Sequence, residues 1–314
     1  MTKKIDLHHH LDGSIKPKTI EELYLIKNKV ELPKETKLFI EDGMPSLTEY
    51  LEFFNLPLSL LKDYFGGITR IAYEMVKQLN ADNVDYAEIR YAPQLLTTDT
   101  SVNGILNVMK AVEIGFQKGM ELFPKTKVNT IICLMRGMDY KVNQNTYEAM
   151  LKFPNSTIVA LDMAGDEYHF LGVEYKDIFL EAKSKGYHIT IHAGENRGPE
   201  SICMAVEFGA ERIGHGLSLN LSEQMMGVLA ERKICLESCP ISNFQTGAVL
   251  RYGYDIELFL KRGIPVTINT DNMTVSNTNL QKEYTYLKEH YGFNDETLEL
   301  MKKFSEEYAF LKKN

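Results

Sequence analysis

The 314-residue chain reads as an α/β protein, a (β/α)8 TIM barrel with extra helices after its first strand. Three observations lead there. Short β-branched runs alternate with amphipathic segments along the chain. Eight such runs occur, the number that closes a barrel of parallel strands through right-handed crossovers. The residues able to do chemistry gather at the C-terminal ends of those runs, where barrels build their sites.

The strand runs are Lys4–His10, Val84–Tyr91, Val128–Met135, Thr157–Met163, Tyr187–His192, Arg212–His215, Ile234–Ser238 and Pro265–Thr270. Helical segments between them include Tyr175–Lys185, Pro199–Phe208 and Ser222–Arg232, each followed at once by a turn or a new strand, as in βα units. An open doubly wound sheet would give the same alternation. No G-x-G-x-x-G follows the first strand and no G-x-x-x-x-G-K-[ST] occurs, which removes the usual reason for an open nucleotide-binding sheet. The first crossover is long, with about three helices between His10 and Val84. One of them, spanning Ser46–Tyr64, carries Leu47, Tyr50, Leu51 and Phe54 as an i, i+3, i+4, i+7 stripe. Such a helix packs on the barrel, and at a barrel mouth it is also placed to act as a lid. With no repeat and no Pro/Gly-rich linker, residues 1–314 are expected to form a single domain.

Composition narrows the function. The formal charge is −8, which argues against a nucleic-acid partner, since phosphate backbones bind basic surfaces. No run approaches the roughly 18 apolar residues of a membrane span, and the opening MTKKIDLHHH lacks a signal-peptide core. Cys133, Cys203, Cys235 and Cys239 form no C-x-x-C pair and read as reduced thiols of a cytoplasmic protein.

Three of the eight histidines open the chain. On a strand, His8 and His10 share a face and His9 points away. An isolated H-x-H is weak evidence for a metal, because histidine runs also occur on surfaces. Position strengthens it: His192 ends YHITIH, His215 ends RIGH, and Asp271 follows PVTINT, all at strand ends. A buried aspartate without a cation is costly, and imidazole with carboxylate suits zinc. His188, deeper in its strand, reads as a satisfied core histidine, and His169 and His290 as surface or helix-face residues. Glu195, three residues after His192 in HAGE, is either a helix-start glutamate ahead of Pro199 or a general acid facing the metal.

The segments HHHLDGS (8–14), MAGDE (163–167), IHAGE (191–195), RIGHG (212–216), CPISNFQTGA (239–248) and NTDN (269–272), in this order, resemble the adenosine deaminases. The resemblance implies one zinc ion per chain held by His8, His10, His192 and Asp271. It implies that His215 orients or deprotonates the water on that zinc and that Glu195 protonates purine N1. It further implies that the Gly165 N–H meets purine N3, that Asp12 holds a ribose 5′-hydroxyl, and that Leu47, Tyr50, Leu51 and Phe54 gate the pocket. The implied substrate is a small purine nucleoside, adenosine or 2′-deoxyadenosine, with water as co-substrate. Related readings are a deaminase of adenine or of a 5′-modified adenosine, and a non-catalytic nucleoside binder. Two-metal hydrolases on this barrel commonly place a lysine on the fourth strand, and TIVALDM (157–163) has none.

Two positions depart from the family. Two aspartates usually follow the last strand, whereas here Asn272 follows Asp271, and Met273 stands where a proline is common. Purine N7 accepts a hydrogen bond, and an asparagine amide always carries two donors, so Asn272 is expected to donate to N7. The alternative is that Asn272 caps a turn beside the metal.

Overall fold

The computed structural model describes residues 3–40, 46–154 and 156–311. Eight strands form its centre: β1 (Ile5–His10), β2 (Tyr86–Tyr91), β3 (Lys127–Met135), β4 (Ile158–Ala164), β5 (His188–Ala193), β6 (Arg212–His215), β7 (Cys235–Ser238) and β8 (Val266–Ile268). They pair in sequence order, each parallel to the next, so the expected barrel topology is the one found. The ring closes at a seam between β8 and β1. There β8 is only three residues long, and His9 and Asp271 form an isolated parallel bridge. His10 N–H donates to the Asp271 carbonyl at 2.7 Å, and Asp271 N–H to the His8 carbonyl at 2.8 Å. Lower down, the Asn269 side chain takes over the missing rung by accepting from Leu7 N–H at 2.9 Å.

Outside the ring, strand residues such as Ile89, Leu161, Ile191, Ile213, Leu236 and Ile268 join one apolar cluster with the surrounding helices. Inside, the filling is largely ionic rather than the branched aliphatics usual for this architecture. Glu88, Arg90, Asp162, Arg212 and Glu237 are all fully buried. Alternation along each strand explains both faces: charged Glu88 and Arg90 sit between outward Ala87, Ile89 and Tyr91.

Among the described residues the first crossover holds four α-helices: α1 (Pro17–Asn28), α2 (Leu47–Glu52), α3 (Asn55–Leu61) and α4 (Phe65–Ala81). The single helix expected over Ser46–Tyr64 is therefore two. Pro57 is the reason. Inside a continuous helix it would lack its N–H and press on the carbonyl of Phe53, whereas in the first turn of α3 no N–H is needed. The start is sharp: Ser46 Oγ accepts from Glu49 N–H at 3.3 Å while Glu49 Oε2 accepts from Ser46 N–H at 2.8 Å, a reciprocal capping box. The helices expected at Pro199–Phe208 and Ser222–Arg232 are observed as Pro199–Glu207 and Glu223–Arg232, with Pro199 at the first position of one and Ser222 capping the other. Among the described residues no helix is long and apolar enough to cross a membrane.

His188 differs from its expected place. It opens β5 at the bottom rim, a quarter exposed, where its Nδ1 meets Glu211 at 2.9 Å and its ring stacks on Phe310 with centroids 4.4 Å apart. It is satisfied, but at the edge of the barrel rather than in its core.

Candidate active site

The C-terminal rims of β1, β4, β5, β6 and β8 and helices α2 and α3 enclose a cavity of about 270 Å³. His10, Asp12, Gly165, His192, Glu195, His215, Asp271 and Asn272 all line it, and His8 lies buried beneath. Every site residue expected from the sequence thus falls in one place. The apolar wall facing them is built by Leu47, Tyr50, Leu51, Phe54 and Leu58.

At the floor, ligand atoms converge. His10 Nε2 lies 3.1 Å from His192 Nε2, and Asp271 Oδ1 lies 3.5 Å from His8 Nε2 and 3.4 Å from His10 Nε2. The carboxylates behind the rings set their tautomers. Glu237 Oε2 takes His8 Nδ1 at 2.7 Å, and Asp162 Oδ2 takes His192 Nδ1 at 2.9 Å. Both rings therefore carry their proton on Nδ1 and turn an Nε2 lone pair into the cluster. His8 Nε2 is buried without a hydrogen-bond partner. Lone pairs gathered about a buried carboxylate fit a cation, and imidazole with carboxylate is a zinc-type donor set. The charges agree. Burial alone would raise the Asp271 carboxyl, but the neighbouring imidazoles of His8, His10 and His215 hold it well below the ordinary range. His10 is pushed well below an ordinary histidine, chiefly by burial. Cys239 also lies within reach of His215 and Asp271, but burial pushes its thiol up and its Sγ donates to the Glu237 carbonyl, so it offers no thiolate.

Two ligand-side residues sit in backbone conformations that side chains rarely adopt, His215 at φ 65° and Asp271 at φ 58°. His215 ends β6 and Asp271 forms the isolated bridge beyond β8; both turn a side chain into the mouth, and such strain persists only where the surroundings enforce it. The Asp271 carboxylate is also gripped by Ser242 Oγ, which donates to its Oδ2.

Glu195 is placed by an acid that the motif reading did not single out. Glu167 Oε1 accepts from Gly194 N–H at 2.6 Å, and Oε2 from Glu195 N–H at 3.1 Å and Asn196 N–H at 2.8 Å. Three consecutive N–H groups after β5 are thus held by one buried carboxylate. Glu195 itself receives the Thr246 hydroxyl at 2.9 Å, and its Oε2 lies 3.5 Å from His215 Nε2. Burial, and then the charge of Asp271, push its carboxyl up to about 8. On the far side of His215, Asn243 Oδ1 accepts from Cys239 N–H at 3.3 Å, which directs Asn243 Nδ2 onto His215 Nδ1 at 2.8 Å. With Nδ1 accepting, a neutral His215 carries its proton on Nε2, toward Glu195. Asp12 is raised to about 6, mainly by burial, and its Oδ1 is buried and unpartnered.

Beneath the ligands runs a ladder of alternating charge. Arg90 bridges Asp162 at 3.0 Å and Glu237 at 2.8 Å, and Arg212 joins Glu237 at 2.6 Å and reaches Glu88. The sequence did carry a signal for these residues. Each is an ionisable side chain within a strand otherwise rich in apolar residues, which places it inside the barrel rather than in solvent.

A family model described as "Adenosine deaminase" matches residues 3–314. The chain belongs to the adenosine deaminase family. An adenosine deaminase of Haemophilus ducreyi is 39% identical over 299 residues, covering 91% of this chain and 86% of that protein. One from Clostridium botulinum is 38% identical over 307 residues, covering 95% and 90%. The fold likeness extends to an amidohydrolase from Burkhoderia ambifaria solved with bound Zn, at TM-score 0.86 and 19% identity over 99% of this chain and 86% of that one. As a member of this hydrolase family, the protein is an enzyme.

Proposed function

We propose that this enzyme hydrolyses adenosine, and 2′-deoxyadenosine, to the corresponding inosine and ammonia in the cytoplasm, with one zinc ion held by His8, His10, His192 and Asp271. The observation that carries the reading is the buried Glu195 carboxyl, 3.5 Å from His215 Nε2 and bonded by Thr246 at the edge of a metal-type cluster, where burial pushes it up to about 8. Bound zinc supplies a Lewis acid that brings the pKa of a water to about 7. The remaining chemistry falls to the chain. Purine C6 is a poor electrophile while the ring is aromatic. The proton of Glu195, given to N1, localises a C=N bond and opens C6 to water. Thr246 and His215 steady that carboxyl so that its proton faces the cavity. His215, with its Nε2–H fixed by Asn243, orients the water; the Asp271 carboxylate takes the proton lost as the oxygen bonds C6 and passes it to the amino group, which leaves as ammonia while the C6 hydroxyl proton returns to Glu195. Asp12 offers an unpartnered oxygen for the 5′-hydroxyl, and the Gly165 N–H is assigned to N3. The apolar wall of α2 and α3 keeps bulk water from the reacting face. All four cysteines are free, in keeping with a reducing compartment.

The test is loss of adenosine absorbance by zinc-loaded protein, with 2′-deoxyadenosine, adenine and methylthioadenosine as parallel substrates. Fastest turnover of the two nucleosides is expected. Preference for adenine or the methylthio compound would overturn the assignment of Asp12 and of the nucleoside.

A further inference from the structure

The short helix after β7, Pro240–Gln245, and the residue that follows it make three contacts with the site. Ser242 Oγ donates to the Asp271 carboxylate, and Asn243 Nδ2 meets His215 Nδ1 at 2.8 Å. Just past the helix, the Thr246 hydroxyl reaches Glu195 Oε1 at 2.9 Å. A metal-type ligand, the water-orienting imidazole and the proton donor all lean on one six-residue element. A shift of that element moves the three contacts together.

So short a helix has little stability of its own. Its cap residue, Cys239, offers no side-chain acceptor, so the N–H groups of its first turn need partners from outside. Glu283 supplies one. It stands in the first turn of the helix Leu280–Tyr291, fully buried, and its Oε2 accepts from Ile241 N–H at 3.0 Å. Its Oε1 meets the Thr278 hydroxyl at 2.7 Å, and Thr278 N–H donates to the Met273 carbonyl at 2.9 Å, two residues beyond Asp271. One carboxyl therefore ties the segment after β7 to the segment after β8. The charges that bear on it most, Asp6 and Asp271, are negative like its own, and burial pushes it up to about 8. Glu283 does not line the cavity, so substrate contact is not what keeps an acid in so costly a place.

We propose that Glu283 is a positioning residue for the deamination, a two-pronged brace that holds Ser242, Asn243 and Thr246 against Asp271, His215 and Glu195. The inference rests on the proposed function, because that reaction is what the brace serves. What Glu283 supplies is reach rather than charge. In Glu283→Gln the side-chain oxygen can accept from Ile241 N–H while the amide donates to Thr278 Oγ1, which keeps an acceptor of its own in the Asn279 carbonyl at 3.3 Å. Glu283→Asp keeps the acid but shortens the side chain by one methylene, so it cannot hold both partners where they stand.

The test compares the two variants with wild type as zinc-loaded full chains, reading kcat and KM for adenosine and backbone hydrogen exchange over residues 239–247. E283D is expected to lose kcat by roughly 10- to 100-fold, the effect of slightly misplaced catalytic groups, with KM nearly unchanged. Its exchange over 239–247 should be faster. E283Q should match the wild type in both readouts. Loss of kcat in E283Q, alone or together with E283D, would show that reach does not suffice. Wild-type kcat in E283D would leave the site indifferent to the brace, and a fall in kcat with unchanged exchange would place the effect elsewhere. Each of these, in a protein whose wild type deaminates adenosine, overturns the brace alone. A wild type that does not deaminate adenosine overturns the proposed function, and the brace with it.

Discussion

Among single residues, the chemistry turns on the protonation of Glu195. Burial, and then the negative charge of Asp271, raise its carboxyl to about 8 from the ordinary 4.5. A raised carboxyl is protonated below its pKa, so the proton donor is present through neutral pH. The expected rate therefore falls as pH rises through about 8, which a pH profile of kcat/KM reads directly. Glu195→Gln keeps the shape and removes the transferable proton. It should lose most of kcat, by a factor of about 10²–10⁴, while retaining the fold and its metal. Near wild-type kcat in that variant would take Glu195 out of the mechanism. The candidate ligands and Glu195 were legible in the sequence because strand ends are where barrel chemistry sits, and His8, His10, His192, His215 and Asp271 all fall at or near the C-terminal ends of the expected strands. The partners that tune them were harder to read. Asp162 and Glu237 lie mid-strand, and only the assembled barrel brings them behind His192 and His8.

At the scale of elements, the turn after β5 shows how one side chain can set another. Glu167, on the loop after β4, collects the N–H groups of Gly194, Glu195 and Asn196. Replacing it with glutamine would set an NH2 group against N–H donors. A buried donor left unpaired costs about 1–3 kcal/mol, so thermal unfolding of Glu167→Gln should come earlier. Displacement of Glu195 by about 1 Å should lower turnover by roughly 10²-fold. Loss of stability without loss of kcat would confine Glu167 to a structural role. The same scale marks a limit of sequence reading. The stripe through Leu47, Tyr50, Leu51 and Phe54 was visible and does line the cavity, but the break between α2 and α3 was not, although Pro57 announced it. Periodicity follows side-chain spacing and passes over a missing N–H. His188 misled for a related reason. Strand alternation gives the face a residue takes, but not how near the rim it stands.

Across the whole molecule, the barrel axis carries a continuous electrostatic column. It starts at Phe310, whose carbonyl accepts from Tyr86 and Asn129 and whose ring lies 3.6 Å from the Arg212 guanidinium. From Arg212 it passes through Glu237 and Arg90 to Asp162, and so to His8 and His192. Buried charges are stable only when each has its counter-charge, and this column ends at the mouth on imidazole lone pairs and the Asp271 carboxylate, which ask for a cation. The eight-strand order was legible because βα units impose it, while the pairing of the interior charges was not, because no single strand pattern shows which opposite charges will meet. This column is expected to terminate in a one-metal site. Its most direct measurement is the zinc content of metal-replete protein by elemental analysis, beside His10→Ala and Asp271→Ala, with thermal unfolding before and after chelation. One equivalent of zinc per wild-type chain is expected, lost in both variants, with a melting temperature that chelation lowers only in the wild type. Two equivalents, none, or full occupancy in the variants would contradict it.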